Sequence, residues 1–173
     1  ASEIGDLVSQ VNDQAGEDFA LLIWTCWDRR RDASPFAAVW QSLPESFGTG
    51  LSARASELEA VAGLPLGQEI LQAQAHLKQS YDSYFAPLVK AVEGYLGEEG
   101  FGWSDYLWAS ELWYAYAIQV ESEEMERNSA CLAPTLFFCN HSLHPHCNHF
   151  SRIRDGALQV RCCRAAAKGE EVF

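Results

Sequence analysis

Leu132-Ala133-Pro134-Thr135-Leu136-Phe137-Phe138-Cys139-Asn140-His141-Ser142 is the stretch on which this sequence turns. It starts apolar and ends polar, and the patterning differs on its two sides. Upstream, apolar residues recur at three-and-four spacing, the period of a helix. Downstream they alternate, the period of a strand. The short apolar run Leu132 to Cys139 itself reads as a buried strand.

Downstream, Asp155-Gly156 is a tight-turn dipeptide between two alternating segments, Phe150 to Arg154 and Ala157 to Arg164, so a hairpin is predicted there. In its second arm Leu158, Val160 and Cys162 face one way; Gln159, Arg161 and Cys163 face the other. Lys168-Gly169-Glu170-Glu171 reads as a turn. Val172-Phe173 reads as the opening of a further strand, so the chain looks cut at that point.

Upstream, the first 127 residues read as helices. Ser2 can cap one through about Asn12. Glu17 to Arg31 is a second, with Phe19, Leu22, Ile23, Cys26 and Trp27 on one side. Arg29, Arg30 and Arg31 in its last turn suit the negative end of the helix dipole and read as a solvated helix end. Pro35 and Pro44 bracket a short helix, Phe36 to Ser42. Ser52 or Ser56 can start another, running to Val61 and closed by Gly63. A longer one spans Leu66 to Phe85, and Pro87 starts the next, ending near Gly97. After the turn 97–100, Ser104 is expected to cap a helix to about Glu124, with Leu107, Trp108, Glu111, Leu112, Ala115 and Ile118 along one side.

Composition narrows the class of function. With 173 residues, six Trp, six Tyr and nine Phe, the chain can bury a real core, and disorder throughout is excluded. Apolar runs such as Phe19 to Cys26 stop short of the roughly 20 residues a membrane span needs. Ala1 to Gln14 carries three acids and no Lys or Arg, unlike a signal or transit peptide. The formal charge of −12 is uneven. Residues 1–127 hold 21 acids against 7 Lys and Arg, and residues 128–173 hold 3 against 5. So acidic a surface argues against a grip on nucleic acid and suits a basic protein segment as partner. Six cysteines without a leader read as reduced thiols in an intracellular compartment.

The densest polar cluster is Cys139 to His149, with four of the five histidines. Imidazole and thiolate are zinc ligands. The spacing does not give two separated ligand pairs, however, so no metal site is expected. No carboxyl group lies close in sequence to orient a His beside Cys139 or Cys147, which disfavours a nucleophilic triad. The glycines are scattered singly, so there is no phosphate loop. His76, alone on an amphipathic helix, reads as a surface residue.

The order of the elements says more than any one residue. Leu132-Ala133-Pro134, Asn140-His141-Ser142, Gly156-Ala157-Leu158-Gln159-Val160 and Lys168-Gly169-Glu170-Glu171-Val172-Phe173 follow one another at fitting distances. In this the sequence resembles the SET-domain methyltransferases, in particular the branch typified by the Rubisco large-subunit lysine methyltransferases. Phe19 to Arg30 with Trp40 and Leu43-Pro44 resembles the start of that branch's inserted helices. Leu107-Trp108-Ala109 resembles the helix leading back to the core.

The resemblance implies an α+β fold: a helical SET insertion over residues 1–127, then short β-strands of an incomplete SET (β-clip) core over residues 128–173. It implies an enzyme that moves a methyl group from S-adenosyl-L-methionine to a protein nitrogen, usually lysine. It assigns the cofactor pocket to Asn140, whose amide meets the amino-acid end, and His141, whose backbone meets the adenine. The tyrosine expected to act in catalysis falls beyond Phe173, so no catalytic residue is assigned in this chain. Two departures leave a second reading open, an inactive SET-like protein-interaction module. Phe137 stands where the family often has an acid, and Val120-Glu121-Ser122-Glu123 lacks the expected arginine.

Overall fold

The computed structural model describes residues 5, 6, 9, 11, 13, 16–91, 100–120, 129–139, 149–155 and 157–171. They fall into two compact units, Ala1–Ala115 and Tyr116–Phe173.

Helices build the first unit. Gly5, Asp6, Ser9, Val11 and Asp13 are helical, where a first helix is expected; its remaining residues lie outside the described set. Helix α1 (Glu17–Arg29) follows Gly16, whose φ of 96° suits a residue without a Cβ. It buries Ala20, Ile23, Thr25, Cys26 and Asp28. Helix α2 (Ala37–Ser42) and α3 (Ala55–Leu58) are short. Glu57 in α3 accepts a bond from the Arg54 backbone N–H at 2.7 Å, so neither Ser52 nor Ser56 is the cap.

A long rod follows, made of α4 (Pro65–Ser80), a π turn (Tyr81–Phe85) and α5 (Ala86–Ala91). The sequence predicts a break before Pro87, but the rod runs through it. A proline in a helix lacks one donor and its ring crowds the carbonyl four residues back. Here the preceding turn is wide, and the Ala86 N–H reaches the Tyr81 carbonyl, five residues back. Gly67 in α4 fits against a neighbouring turn: a Cβ there would lie 2.3 Å from the Val61 carbonyl oxygen.

Helix α6 (Trp103–Tyr116) is the centre of the unit. Its start is held by Asp105, whose carboxyl accepts from the Gly102 N–H at 2.9 Å, and not by Ser104. The helix ends at Tyr116, short of the expected Glu124, because strand pairing takes over two residues later. Nor does it bury a single side. Tyr106, Trp108, Ala109, Ser110, Glu111 and Leu112 are all buried, and residues that close together point in every direction around a helix.

Two networks tie the other segments to this unit. Asp28 is 1% exposed. It accepts from the Trp40 indole N–H at 2.9 Å, from the Ser34 hydroxyl and from Arg31 at 3.3 Å. Glu111, 2% exposed, accepts from Ser52 at 2.6 Å and from Thr49, while the Trp108 indole donates to the Pro44 carbonyl at 3.0 Å. Trp24, Phe36, Trp40 and Trp108 form an edge-to-face aromatic chain between them, extended by a tilted contact of Phe47 with Trp108, with centroids 5.6 to 6.5 Å apart.

The arginine triplet is more than a solvated helix end. Arg29 lies 3.8 Å over the Trp108 ring, Arg30 lies 4.8 Å over Phe101 and pairs with Asp105 at 2.9 Å, and Arg31 lies 4.0 Å over Trp27. Burial lowers the pKa of Arg29 from its ordinary value.

The second unit has two antiparallel pairs: β1 (Ile118–Val120) with β2 (Ser129–Cys131), and β3 (His149–Arg154) with β4 (Ala157–Cys162). In the second pair Arg154 opposes Ala157, so the two predicted arms pair as a hairpin, with Gly156 itself outside the described residues. Asp155 takes a φ of 54°, the left-handed conformation that such turns require. Leu158 and Gln159 are half-buried and Val160 exposed, so burial does not follow the expected alternation. The apolar run after β2 is not a strand. Pro134–Leu136 is a 3₁₀ turn, because Pro134 cannot donate to a ladder and its fixed φ suits the first position of a helical turn. The last expected strand, Val172-Phe173, lies outside the described residues. Among the described residues no helix is long and apolar enough to cross a membrane.

The Asp28 network yields the first prediction. Asp28→Ala should cost about 3 kcal/mol, because it strands the buried Trp40 N–H and Ser34 hydroxyl. Asp28→Asn should fall between: the Trp40 and Ser34 bonds both go to Oδ2, which the amide oxygen can replace, but the amide nitrogen then faces Arg31 and the charge is lost. Urea denaturation checks this; a variant as stable as the parent would remove Asp28 from the core's supports.

Candidate functional site

Asn140 and His141 lie outside the described residues, as do residues 141–148 of the histidine cluster. The structure describes the backbone that delivers them. From Ala133 the chain winds through three successive turns, with Leu136 N–H bonded to the Ala133 carbonyl at 2.8 Å, Phe137 to Pro134 at 3.3 Å and Cys139 to Leu136 at 3.0 Å. Phe137 is buried at the centre of this segment, its ring 4.8 Å from that of Tyr116, where α6 ends. Thus an aromatic pair fixes the chain three residues before Asn140. Phe138, next to it, is 63% exposed.

At the other end, residues 167–170 form the expected turn. The Glu170 N–H meets the Ala167 carbonyl at 3.0 Å, and Gly169 has a φ of 86°, the conformation a type II turn asks of glycine. The Ala167 N–H donates to the Glu170 carboxyl at 2.9 Å and Arg164 pairs with it; together these hold its pKa below the ordinary value.

The described cysteines, 26, 131, 139, 162 and 163, are free thiols. No group of three His, Cys, Asp or Glu side chains that could hold a metal occurs among the described residues.

The first unit holds a feature the sequence did not reveal. A cleft of about 220 Å³ opens between α1, α4 and α6, with Phe19, Leu22, Leu77 and Trp113 among its walls and Tyr106 and Ser110 among its polar lining. Ser110 is 3% exposed, yet its hydroxyl makes no hydrogen bond of ordinary geometry among the described residues. Burial raises the pKa of the Tyr106 phenol; the Ser110 side chain, close enough to bond it weakly though outside ordinary geometry, opposes the rise. His76 lines the cleft from an exposed position, in keeping with the expected surface residue. A serine within an aromatic helix reads in sequence only as a neutral residue, so nothing marked Ser110.

Comparison with known proteins gives the class. Residues 12–173 match the SET domain, and the chain belongs to that family. Two crystal structures of the SET domain of LSMT share its fold. One, bound to lysine and AdoHcy, superposes with a TM-score of 0.67 at 16% identity over 82% of this chain. The other, bound to methyllysine and AdoHcy, gives 0.66 at 16% identity over 87%. The chain spans 31% and 34% of the length of those chains. No curated protein matches. The family drawn from the ordered motifs therefore holds, and the α+β fold with it.

Thiol reactivity tests the described geometry. Burial above all, and then Asp105, raises the pKa of the Cys26 thiol far above its usual value. A raised pKa keeps the unreactive protonated form at neutral and mildly alkaline pH. Iodoacetamide at about pH 8 should label Cys162 and Cys163, both exposed, and spare Cys26 until the protein unfolds. Peptide mapping that finds Cys26 modified at a similar rate in the native protein would contradict this packing.

Proposed function

We propose that this protein is a protein-lysine N-methyltransferase that uses S-adenosyl-L-methionine and works in an intracellular compartment. The observation that carries this reading is the match to the SET domain over residues 12–173. It is supported by the common fold with SET domains solved with AdoHcy and with lysine or methyllysine. The intracellular placement rests on the cysteine usage of the sequence alone.

The donors assigned to the cofactor fit it in their chemistry. A primary amide, as on Asn140, offers both donors and an acceptor to an amino-acid end that carries both charges, and the His141 backbone offers a donor and an acceptor to an adenine edge. When bound, S-adenosylmethionine supplies the methyl group. The task of the chain's own residues is to orient that group against a neutral lysine amine and to exclude water. In this reading residues 1–127 are the helical insertion and 128–173 the C-terminal half of the core, and these 173 residues form only part of a catalytic unit.

One observation favours the second reading, an interaction module without catalysis. Phe137, where the family often has an acid, is buried against Tyr116 and so offers no charge near Asn140.

Calorimetric titration of the full-length protein with S-adenosylmethionine distinguishes the two. On the enzymatic reading Asn140→Ala weakens binding by about 1–3 kcal/mol, the cost of losing one partner of a buried polar contact. Equal affinity in both proteins would make Asn140 structural. No binding in either would favour the interaction module.

A further inference from the structure

We propose that the cleft between α1, α4 and α6 docks a basic, amphipathic helical segment of a partner protein, with one polar-tipped aromatic side chain of that segment seated against Ser110. The proposal concerns binding alone and stands whether or not the protein transfers methyl groups.

Three observations lead to it. The first is shape. The cleft is not isolated: two further hollows open beside it, and all three share Tyr114. The series runs from Asp18 and Ser110, past His76, to Leu66 and Ile70 on α4. A row of open hollows along two helices suits an elongated partner laid into a groove, with side chains spaced to drop into successive pockets. Tyr114 is 70% exposed and Leu66 54%, so the groove carries more uncovered apolar surface than scattered single residues need.

The second is the unmet hydroxyl. Ser110 lines the groove and is almost fully buried; its hydroxyl is close enough to the Tyr106 phenol to influence it, but makes no bond of ordinary geometry among the described residues, so its bonding capacity is at best weakly used. A buried polar atom left so calls for a partner. The aromatic and aliphatic walls around it suit a ring, and the hydroxyl suits that ring's polar tip, as in tyrosine or tryptophan.

The third is charge. Asp18 and Glu69 line the groove, and no Lys or Arg does so among the described lining residues. Residues 1–127 carry a large excess of acids. Such a rim attracts a cationic partner and repels an acidic one.

The test is fluorescence anisotropy with the 173-residue chain and a synthetic helical peptide of about 15 residues, Tyr and Leu on one face and Lys on the other. Three comparison peptides carry Glu for Lys, Phe for Tyr, or both. The Lys peptide should bind and the Glu peptide should not. Tyr114→Glu, and Asp18→Lys together with Glu69→Lys, change exposed positions and should each weaken binding at least about tenfold. Ser110→Ala should remove the preference for Tyr over Phe while leaving the urea midpoint unchanged or higher, since it deletes an unsatisfied group. Equal binding of the Lys and Glu peptides, or a Tyr114→Glu variant that binds as the parent does, would overturn the proposal. So would a lower midpoint for Ser110→Ala, which would show the hydroxyl already satisfied within the fold. Sedimentation showing a dimer that Tyr114→Glu dissolves would also overturn it, by assigning the groove to a second copy of this chain.

Discussion

Helix α6 has almost no solvent side along its middle turns, and that constraint organises the first unit. A helix so enclosed cannot leave its polar side chains to water, and most of them find a partner in the chain around it. Glu111 finds the hydroxyls of Thr49 and Ser52. Trp108 finds the Pro44 carbonyl. Asp105 takes the Gly102 N–H and the Arg30 guanidinium, and its carbonyl takes the Cys26 thiol at 3.5 Å. The irregular segment 44–52 has little regular structure of its own, and these bonds give it a fixed course. Asp28 does the same for the segment leading into α2. Removing one such acceptor strands donors that have no water to turn to, which is why single polar substitutions here cost more than surface ones.

The sequence revealed these elements unevenly, and for physical reasons. Helical period marks a segment with one wet side. It identified α1, but misread α6, where six residues from Tyr106 to Leu112 are buried in all directions. Proline marks a helix start when its missing donor is an orphan; in the rod it sits one turn beyond a π turn that has already displaced the bonding pattern. The run Leu132 to Cys139 is short and apolar enough for a buried strand, and only Pro134 argued otherwise. The hairpin was legible because Asp155-Gly156 demands one local geometry whatever surrounds it.

The site was legible in a different way. No residue of the second unit announces chemistry alone, and the histidine cluster, read residue by residue, offers zinc-type ligands at a spacing that makes no site. What identified the family was an ordered set of weak motifs spread over nearly the whole chain. Order survives where individual identities drift: the solved relatives share the fold at 16% identity. Phe137 shows the limit of the method. Sequence comparison registers it as a missing acid. The structure gives it a positive role, closing against Tyr116 to fix the chain just before Asn140. The groove around Ser110 was invisible for the converse reason, since it depends on three helices meeting and on no pattern within any of them.

The arginines bring charge and packing together. Acids outnumber bases threefold in residues 1–127, and a few of those acids are spent inside the fold. Asp28, Asp105 and Glu111 are engaged in the interior or at its edge. Arg29, Arg30 and Arg31 place their guanidinium groups over the rings of Trp108, Phe101 and Trp27, so the end of α1 sets three cations against aromatic faces. A lysine could neutralise the same dipole, but it lacks the planar fork that arginine can offer to a ring and a carboxylate together, as Arg30 does with Phe101 and Asp105. The cations nearest the aromatic core are thereby committed to it. Of the acids that face water, Asp18 and Glu69 carry no ion pair among the described residues, and their field is what a cationic partner meets first.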